Sequence, residues 1–267
     1  MSINILAKIV DHKKIEVAER KTQMSIAQLE AMPLFTSEGY SLKLNLLNSA
    51  LTGIIAEFKR QSPSKGVINA TASVADVANA YTKFGAAGIS VLTDKTFFGG
   101  SIDDLSIAVK NPIPVLRKEF IIDEFQLIEA KAYGASVILL IAACLTPALT
   151  HSLATFAKGF GLEVLLEIHD ATELGHISDA VDFVGINNRS LKSFEVNIEH
   201  SLELKHQLPK GILSIAESGI YSVETFQLLK KEGFDGFLMG EYFMKQANPA
   251  AAFELFVTSI KTNNNAV

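Results

Sequence analysis

The most informative segment of the chain reads Ile-Ile-Ala-Glu-Phe-Lys-Arg-Gln-Ser-Pro-Ser-Lys-Gly, at residues 54–66. Its apolar start predicts a β-strand, and its Ser-Pro-Ser-Lys-Gly end predicts a turn. Because the side chains of a strand alternate between two faces, Glu57 and Lys59 should point the same way. A charged pair at the end of an apolar strand is costly unless the charges are paired or used. For this strand alone, however, the simpler interpretation is that the chain leaves the core at the end of the strand and continues as a solvated loop.

The same pattern recurs along the chain. Short apolar runs are followed by polar residues, and then by segments with i, i+3, i+4 apolar spacing that predict amphipathic helices. Strict alternation of strands and helices implies parallel strands joined by helical crossovers. The eight predicted strands are residues 53–59, 89–94, 114–120, 136–141, 163–168, 183–187, 212–218 and 236–240.

Eight strands, each followed by a helix, predict an α/β protein with a closed (β/α)8 TIM barrel, a fold of about 200 to 250 residues. The competing fold is an open doubly wound sheet. That fold usually has a Gly-rich first turn and an acidic residue about 20 positions later, and the turn at residues 60–66 lacks this fingerprint. We therefore predict a single domain, in which a helical extension at residues 1–50 caps a barrel at residues 51–267.

The composition is that of an ordinary globular protein, with 48% hydrophobic residues, 20% charged residues and a formal net charge of -5. No basic stretch indicates nucleic-acid binding, and no apolar run approaches the roughly 20 residues that are needed to cross a bilayer. The single cysteine, Cys144, excludes an internal disulfide, and residues 1–21 lack the features of a secretory signal. We therefore expect a cytoplasmic protein that binds neither membrane nor nucleic acid. The histidines have no ligand spacing, so no metal site is expected.

Barrel enzymes carry their active sites at the carboxyl ends of the strands. In this chain those ends supply lysines, glutamates, an asparagine and an arginine to one rim. Desolvating such a cluster costs free energy, which is hard to explain if the charges have no function. A pocket for an anionic substrate with acid–base chemistry is therefore the simplest explanation. The strand ends supply, in chain order, Glu57, Lys59, Ser62, Thr93, Asp94, Lys95, Lys118, Glu119, Phe120, Glu167, Asn187, Arg189, Glu217, Ser218, Gly240 and Glu241.

The last two strand–helix turns indicate the kind of anion. Gly219 and Gly240 stand where a strand passes into a helix, and many barrels bind phosphate with the loops after strands 7 and 8. Glycine lets backbone N–H groups approach a dianion closely. Either glycine alone is weak evidence, because turns need glycine anyway. Both together, with Lys59 and Ser62 across the barrel mouth, favour a phosphate site.

These segments, taken together, resemble the indole-3-glycerol phosphate synthase family. The resemblance implies a carboxy-lyase of tryptophan biosynthesis that needs no metal or organic cofactor. Its substrate would be a small anionic sugar phosphate, 1-(2-carboxyphenylamino)-1-deoxyribulose 5-phosphate, which loses carbon dioxide and water to become indole-3-glycerol phosphate. We expect a monomer. The matching segments are IAEFKRQSPSKG at 55–66, SVLTD at 90–94, LRKEFI at 116–121, LLEIH at 165–169, GINNRSL at 185–191, AESGI at 216–220 and FLMGE at 237–241.

The resemblance also implies residue roles. Lys118 matches the general acid that protonates the substrate's carbonyl oxygen, and Glu167 matches an acid or base of the later dehydration. Glu57 and Lys59 match a pair that positions these groups, and Asn187 completes the predicted catalytic set. How Glu57, Lys59 and Glu167 divide the proton transfers stays open. The predicted substrate-binding and phosphate-binding residues are Ser62, Phe98, Phe120, Arg189, Glu217, Ser218, Gly219, Leu238, Gly240 and Glu241, with Phe98 and Phe120 against the anthranilate ring.

Further expectations concern the surroundings of these residues. A general acid must stay protonated at neutral pH, and Glu57 is the expected neighbour that keeps Lys118 charged. Glu241 should turn its carboxylate away from a phosphate, which would repel it. Gln61 and Tyr242 stand where relatives often carry smaller residues. The N-terminal extension, to about residue 47, is expected to roof the catalytic end.

Three other functions stay open at this point. A Schiff-base aldolase or isomerase would use Lys118 or Lys59 as an amine nucleophile, which requires a lowered lysine pKa. A noncatalytic sensor of sugar phosphates would keep the pocket without needing its acids and bases. Phosphoribosylanthranilate isomerase relies on a cysteine and aspartate pair, for which Cys144 is poorly placed. The charged cluster could also be an ion network that only makes the barrel mouth rigid.

Overall fold

A computed structural model of the protein describes residues 5–190 and 195–264. At its centre, eight parallel strands form a closed barrel in which the last strand pairs with the first. The predicted TIM barrel is confirmed. A short antiparallel hairpin follows the first barrel strand. The strands are β1 (Ile54–Phe58), the hairpin strands β2 (Gln61–Ser62) and β3 (Gly66–Val67), and then β4 (Gly88–Leu92), β5 (Val115–Lys118), β6 (Val137–Ile141), β7 (Glu163–Ile168), β8 (Phe183–Asn187), β9 (Leu213–Glu217) and β10 (Gly236–Met239).

The helices surround the barrel and cover its ends. Many begin at a serine, threonine, aspartate or asparagine whose side chain accepts a backbone N–H of the first turn, as Ser73 and Thr146 do. The α-helices are α1 (Ile5–Gln23), α2 (Ile26–Glu30), α3 (Leu42–Leu47), α4 (Val74–Lys83), α5 (Lys95–Phe98), α6 (Ile102–Ala108), α7 (Glu124–Ala132), α8 (Pro147–Gly159), α9 (Ile198–Lys205), α10 (Val223–Lys231), α11 (Glu241–Met244) and α12 (Pro249–Asn264).

Two connections differ from the predicted strand–helix pattern. The hairpin β2–β3 occupies the turn after β1, where the Ser-Pro-Ser-Lys-Gly sequence makes the chain fold back on itself. The crossover from β7 to β8 contains a 3-10 helix, Ala171–His176, instead of an α-helix. This crossover, residues 169–182, is the shortest in the barrel, and a 3-10 turn is the tighter way to close it.

The apolar residues of the strands form two layers. Along β1, Ile54, Ala56 and Phe58 pack against the outer helices, whereas Ile55 packs inside the barrel. The alternation therefore points Glu57 into the barrel. The same alternation points Lys118 of β5, Glu167 of β7 and Glu217 of β9 into the barrel.

The N-terminal helices lie at both ends of the barrel. At the carboxyl ends of the strands, Lys13 of α1 contacts Asp94 and Glu119, which follow β4 and β5. At the opposite end, Leu42 and Leu46 of α3 lie over glycines that begin β4 and β10. The expectation that the whole extension roofs the catalytic end is therefore wrong for α3. Its leucines fill the apolar space that these glycines leave at the strand starts.

Leu42→Ala should test this division between the two ends. The side chain is 1% exposed, so its truncation leaves a cavity and should lower the free energy of unfolding by about 2–5 kcal/mol. The folded variant should keep kcat/KM within about twofold, because α3 lies at the end away from the charged strand ends. Urea denaturation and steady-state kinetics measure the two effects. As a control, Leu44→Ala on the exposed face should change stability by less than about 0.5 kcal/mol. A large loss of activity in folded Leu42→Ala would contradict the assignment.

Candidate active site

A cavity opens at the carboxyl ends of the barrel strands. Its lining includes every residue that the sequence analysis proposed for catalysis or substrate binding. Charged side chains from strand ends form its floor, two phenylalanines form one wall, and the loops after β9 and β10 form part of its rim. The structure also adds residues that the sequence analysis did not propose, including Ile5, Leu6 and Ile9 of α1, and Tyr221.

Lys118 lies at the centre of the floor, at the end of β5. Its Nζ donates to Glu167 Oε2 at 3.0 Å and to Glu217 Oε2 at 2.8 Å. Burial favours the neutral amine, but the carboxylates of Glu167, Glu217 and Glu57 outweigh it and raise the pKa of Lys118 above its ordinary value. The ammonium therefore stays protonated at neutral pH.

Glu57 lies farther from Lys118 than two other carboxylates do. Its Oε1 lies 2.7 Å from Nζ of Lys59, two residues farther along the same face of the chain. As expected, Glu57 helps to keep Lys118 charged, but Glu167 and Glu217 make the larger contributions. Glu57 acts on Lys118 only through its field, because the two strand ends β7 and β9 bring Glu167 and Glu217 closer.

The two carboxylates bound to Lys118 have different proton affinities. Burial favours the protonated form of both. For Glu167, the nearby Lys118, His169 and Asn187 outweigh burial and hold the pKa well below its usual range. For Glu217, burial and the negative charge of Glu167 outweigh Lys118 and raise the pKa to about 7. At neutral pH the site therefore has one ionised carboxylate and one that exchanges a proton readily.

His169 and Asn187 hold Glu167 from the other side. Asn187 Nδ2 donates to Glu167 Oε1 at 3.0 Å, and His169 Nε2 lies 3.3 Å from the same oxygen. Nδ1 of His169 is 3.6 Å from Glu173, and neither ring nitrogen has hydrogen-bond geometry. Burial lowers the pKa of His169, but these two carboxylates outweigh it and raise the pKa to about 10. The imidazolium therefore adds positive charge beside Glu167.

Phe98 and Phe120 form an aromatic wall. Phe98 ends α5 and Phe120 follows β5, and their ring centroids are 5.9 Å apart with the planes tilted by 39°. Leu139, Ile141 and Leu238 continue the apolar lining. This part of the cavity can take a flat aromatic group, while the charged floor faces its polar end.

Arg189, Tyr221 and Glu241 meet at the rim. Arg189 Nη2 donates to the Tyr221 hydroxyl at 2.7 Å and to Glu241 Oε2 at 3.3 Å, and the Tyr221 hydroxyl lies 3.4 Å from the same carboxylate. The carboxylate of Glu241 is therefore engaged by its neighbours at the rim. The ring of Tyr242 packs against Phe243 in the outer layer. Nothing in the sequence around Tyr221 indicated this contact.

The backbone of the β9 loop is unusual. Ser218 has a φ of 64° and Gly219 a φ of 72°, so two consecutive residues are left-handed. This conformation is uncommon for serine, and Asn188 supports it by donating its Nδ2 to the Ser218 carbonyl at 2.7 Å. At Gly240, an added Cβ would lie 2.8 Å from the Glu57 side chain. A side chain there would therefore displace Glu57 as well as hinder an anion.

Residues 5–190 and 195–264 contain neither a candidate metal site nor a helix that could cross a membrane. No group of three or more histidine, cysteine, aspartate or glutamate side chains there could hold a metal ion. None of the helices in this part of the chain has the length and apolar character to cross a membrane. Cys144 does not line the cavity, and burial raises the pKa of its thiol to about 12.

A closed eight-stranded barrel that holds an ammonium against buried carboxylates at its strand ends defines a TIM-barrel enzyme. A model of the indole-3-glycerol phosphate synthase family matches residues 6–256. An indole-3-glycerol phosphate synthase of Bacteroides thetaiotaomicron is 44% identical over 97% of this chain and 99% of its own length. One from Exiguobacterium sibiricum is also 44% identical, over 94% of this chain and 96% of its own length. The chain belongs to the indole-3-glycerol phosphate synthase family.

Solved structures of other enzymes share the fold at low sequence identity. The 3-hexulose-6-phosphate synthase from Salmonella typhimurium matches 78% of this chain and 98% of its own, with a TM-score of 0.61 and 14% identity. Tryptophan synthase subunit alpha from Legionella pneumophila matches 85% of this chain and 97% of its own length, with a TM-score of 0.60 and 13% identity. These likenesses show the barrel fold alone.

Gly185→Ala should disturb the centre of the site without touching a charged residue. A Cβ at Gly185 would lie 2.0 Å from Oε1 of Glu217, so the variant must push that carboxylate away from Lys118. Turnover should fall by about 100-fold, because small displacements of reacting groups have large effects on rate. Steady-state kinetics measures this. In the control Gly175→Ala, no atom lies within 4 Å of the added Cβ, and turnover should be unchanged. Normal turnover in Gly185→Ala would show that the position of Glu217 is not important.

Glu217→Gln should change how stability depends on pH. The pKa of Glu217 is about 7 in the folded protein, against 4.5 for an unperturbed glutamate, as in an unfolded chain. The folded state therefore holds a proton that the unfolded state has lost. The stability associated with this proton is fully present below about pH 4.5 and is lost as the pH rises through about 7.

From pH 5 to pH 8, the free energy of unfolding should therefore fall less in Glu217→Gln than in the wild type, by roughly 1 to 3 kcal/mol. Urea denaturation at the two pH values measures the difference. Glu199→Gln, an exposed substitution on α9, serves as the control and should follow the wild-type dependence. Parallel curves for all three proteins would mean that Glu217 is ionised throughout this range.

Proposed function

We propose that this chain converts 1-(2-carboxyphenylamino)-1-deoxyribulose 5-phosphate into indole-3-glycerol phosphate, the carboxy-lyase step of tryptophan biosynthesis. Family membership supports this reaction. The observation that carries it is the Lys118 ammonium, bonded to two buried carboxylates of unequal pKa beside an aromatic wall. A reaction that protonates a ketone next to an aromatic ring needs these two features together.

The substrate would span the cavity from the aromatic wall to the rim. Its anthranilate ring packs against Phe98 and Phe120, and its phosphate lies at the loops after β9 and β10. Gly219 and Gly240 lie on the cavity there, and Ser62 of the hairpin lies on the same cavity. The ketone then faces Lys118 on the floor.

Ring closure begins when the ring carbon that bears the carboxylate attacks the ketone carbon. The ketone oxygen takes a proton from Lys118 and becomes a hydroxyl group. Loss of carbon dioxide then returns the electron pair of the broken bond to the ring. Finally the hydroxyl takes a proton from an acid of the site and leaves as water, and the carbon beside the nitrogen passes a proton to a carboxylate of the site, which forms the double bond of the indole. The ionised carboxylate of Glu167 would take part in this dehydration, since Asn187 and His169 keep it charged.

Glu217 would restore the proton of Lys118. It is bonded directly to the ammonium at 2.8 Å, and its pKa of about 7 lets it hold or release a proton at neutral pH. Glu57 and Lys59 form an ion pair with each other and position the remaining polar groups. Acid and base functions are thereby divided among groups whose environments set their pKa values apart.

The alternative functions have less support. A Schiff-base mechanism needs a lysine with a lowered pKa, whereas the carboxylates raise the pKa of Lys118. A sensor would not need the acid–base set that the cavity retains. A cysteine-based isomerase is disfavoured because Cys144 lies outside the cavity lining and its thiol stays protonated.

We further propose that the enzyme acts in the cytoplasm, as a monomer, on its small phosphorylated substrate. The monomer is supported by the site itself, since all the groups that the mechanism uses come from one chain. The cytoplasmic location is supported by the composition, with its single cysteine, and by the biosynthetic reaction of the family.

Lys118→Ala tests the proposed general acid. Its turnover should fall by roughly 100-fold to 10,000-fold, the contribution typical of general acid catalysis, while circular dichroism shows the barrel intact. The assay follows indole-3-glycerol phosphate by fluorescence, with the synthetic ribulose phosphate as substrate. Lys230→Ala, an exposed lysine on α10, is the control and should retain wild-type turnover. If Lys118→Ala kept more than half of the turnover, another group would be the acid; if the wild type formed no product at saturating substrate, the proposed function would be wrong.

A further inference from the structure

Lys13 is a charged residue on the buried face of α1. It lies four residues after Ile9 and four before Val17, so the three side chains share one face of the helix. Its side chain is only 1% exposed, and its Nζ lies 2.8 Å from Glu16. An ammonium this deeply buried requires several opposing charges to be tolerated.

Two of these charges belong to residues that follow barrel strands. Nζ of Lys13 lies 2.9 Å from Asp94 Oδ2, after β4, and 2.9 Å from Glu119 Oε1, after β5. The side chains of both carboxylates are almost completely buried. Lys13 therefore joins α1 to the ends of two neighbouring strands, and one of them carries Lys118.

The same two carboxylates hold the backbone of the aromatic wall. Asp94 Oδ1 accepts the backbone N–H of Phe98 at 3.2 Å, as the N-cap of α5. Glu119 Oε1 accepts the backbone N–H of Phe120 at 2.8 Å. The backbone N–H of each phenylalanine in the wall is thus bonded to a carboxylate, and both carboxylates contact Lys13.

A second contact joins α1 to the segment that carries Phe98. Nε2 of His12 lies 2.9 Å from Oγ1 of Thr96, and the ring of His12 packs edge-on against Phe97. The position of α1 is therefore coupled to α5 by two contacts, one through Lys13 and one through His12. Glu119 Oε2 also accepts a hydrogen bond from the Thr93 hydroxyl at 2.7 Å, so both oxygens of this carboxylate are fixed.

We propose that Lys13 is a positioning residue for the aromatic wall: by bridging Asp94 and Glu119 it sets the relative position of the Phe98 and Phe120 rings, and through them the recognition of an aromatic group. The proposal rests on the proposed function, because it takes the wall to be the site of the anthranilate ring. Lys13 does not line the cavity and acts only through these two carboxylates.

A purely structural ion network would behave differently. Its loss would lower stability, and it would weaken the binding of all ligands or of none. A positioning role predicts selective loss, since the phosphate lies at the loops after β9 and β10 and the wall lies at β4 and β5. The affinity for an aromatic ligand should therefore fall while the affinity for phosphate is retained.

The test compares two ligands, indole-3-glycerol phosphate and inorganic phosphate, by titration calorimetry on the full-length chain. Lys13→Met keeps the length and apolar stem of the side chain and removes its charge. Its dissociation constant for indole-3-glycerol phosphate should rise about tenfold, the scale of an aromatic contact, and that for inorganic phosphate should change less than twofold. The control is Lys14→Met, since Lys14 is 62% exposed and pairs with exposed Asp11. It should bind both ligands like the wild type.

Glu119→Gln provides a second variant in case Lys13→Met does not fold, because it keeps an oxygen for the Phe120 N–H but loses the attraction to Lys13. It should show the same selective loss, of about threefold. Equal loss of both affinities, loss of neither, or failure of both variants to fold would overturn the proposal, since the network would then serve folding alone. Failure of the wild type to bind indole-3-glycerol phosphate would instead count against the proposed function.

Discussion

The active site depends on how one layer of charged side chains is stabilised inside an apolar barrel. Glu57, Lys118, Glu167 and Glu217 come from the first, third, fifth and seventh barrel strands. Side chains inside a TIM barrel are stacked in layers, and each layer takes its members from alternate strands. In this chain the layer at the carboxyl ends consists of three carboxylates and one ammonium. The desolvation of so many charges is tolerable only because each is paired.

The strands between them leave room for this layer. Gly185 of β8 lies between β7 and β9, which carry Glu167 and Glu217, and a Cβ at this glycine would occupy the space of the Glu217 carboxylate. Gly240, after β10, likewise has no side chain where it faces Glu57. The sixth and eighth barrel strands, β8 and β10, therefore leave space where the odd strands contribute charge. The barrel architecture and the chemistry impose one common constraint on the sequence.

The sequence predicts the local features of this arrangement well. The eight strands, the common face of Glu57 and Lys59 and the position of Lys118 at a strand end follow from the period of the strand and the order of elements. The direct partners of Lys118 do not follow, because they depend on which strand ends meet across the closed barrel. The placement of α3 at the opposite end is also nonlocal, since its leucine pattern resembles that of any short amphipathic helix. The spacing of the sequence puts Lys13 on the same helix face as Ile9 and Val17, but a lysine at such a position usually extends its ammonium to solvent.

The excess of carboxylates in the layer determines how an anionic substrate can be accommodated. A phosphate and an aryl carboxylate entering a layer that already holds three glutamates would be repelled by them. Binding is favourable if the phosphate stays at the rim, on backbone groups, and if the charge of the layer is reduced. Glu217 can supply that reduction, since its pKa of about 7 allows it to take up a proton as the negative charge arrives. In the proposed mechanism the same carboxylate would then be protonated beside Lys118 when the ketone needs a proton, so substrate binding would prepare the group that restores the proton of Lys118.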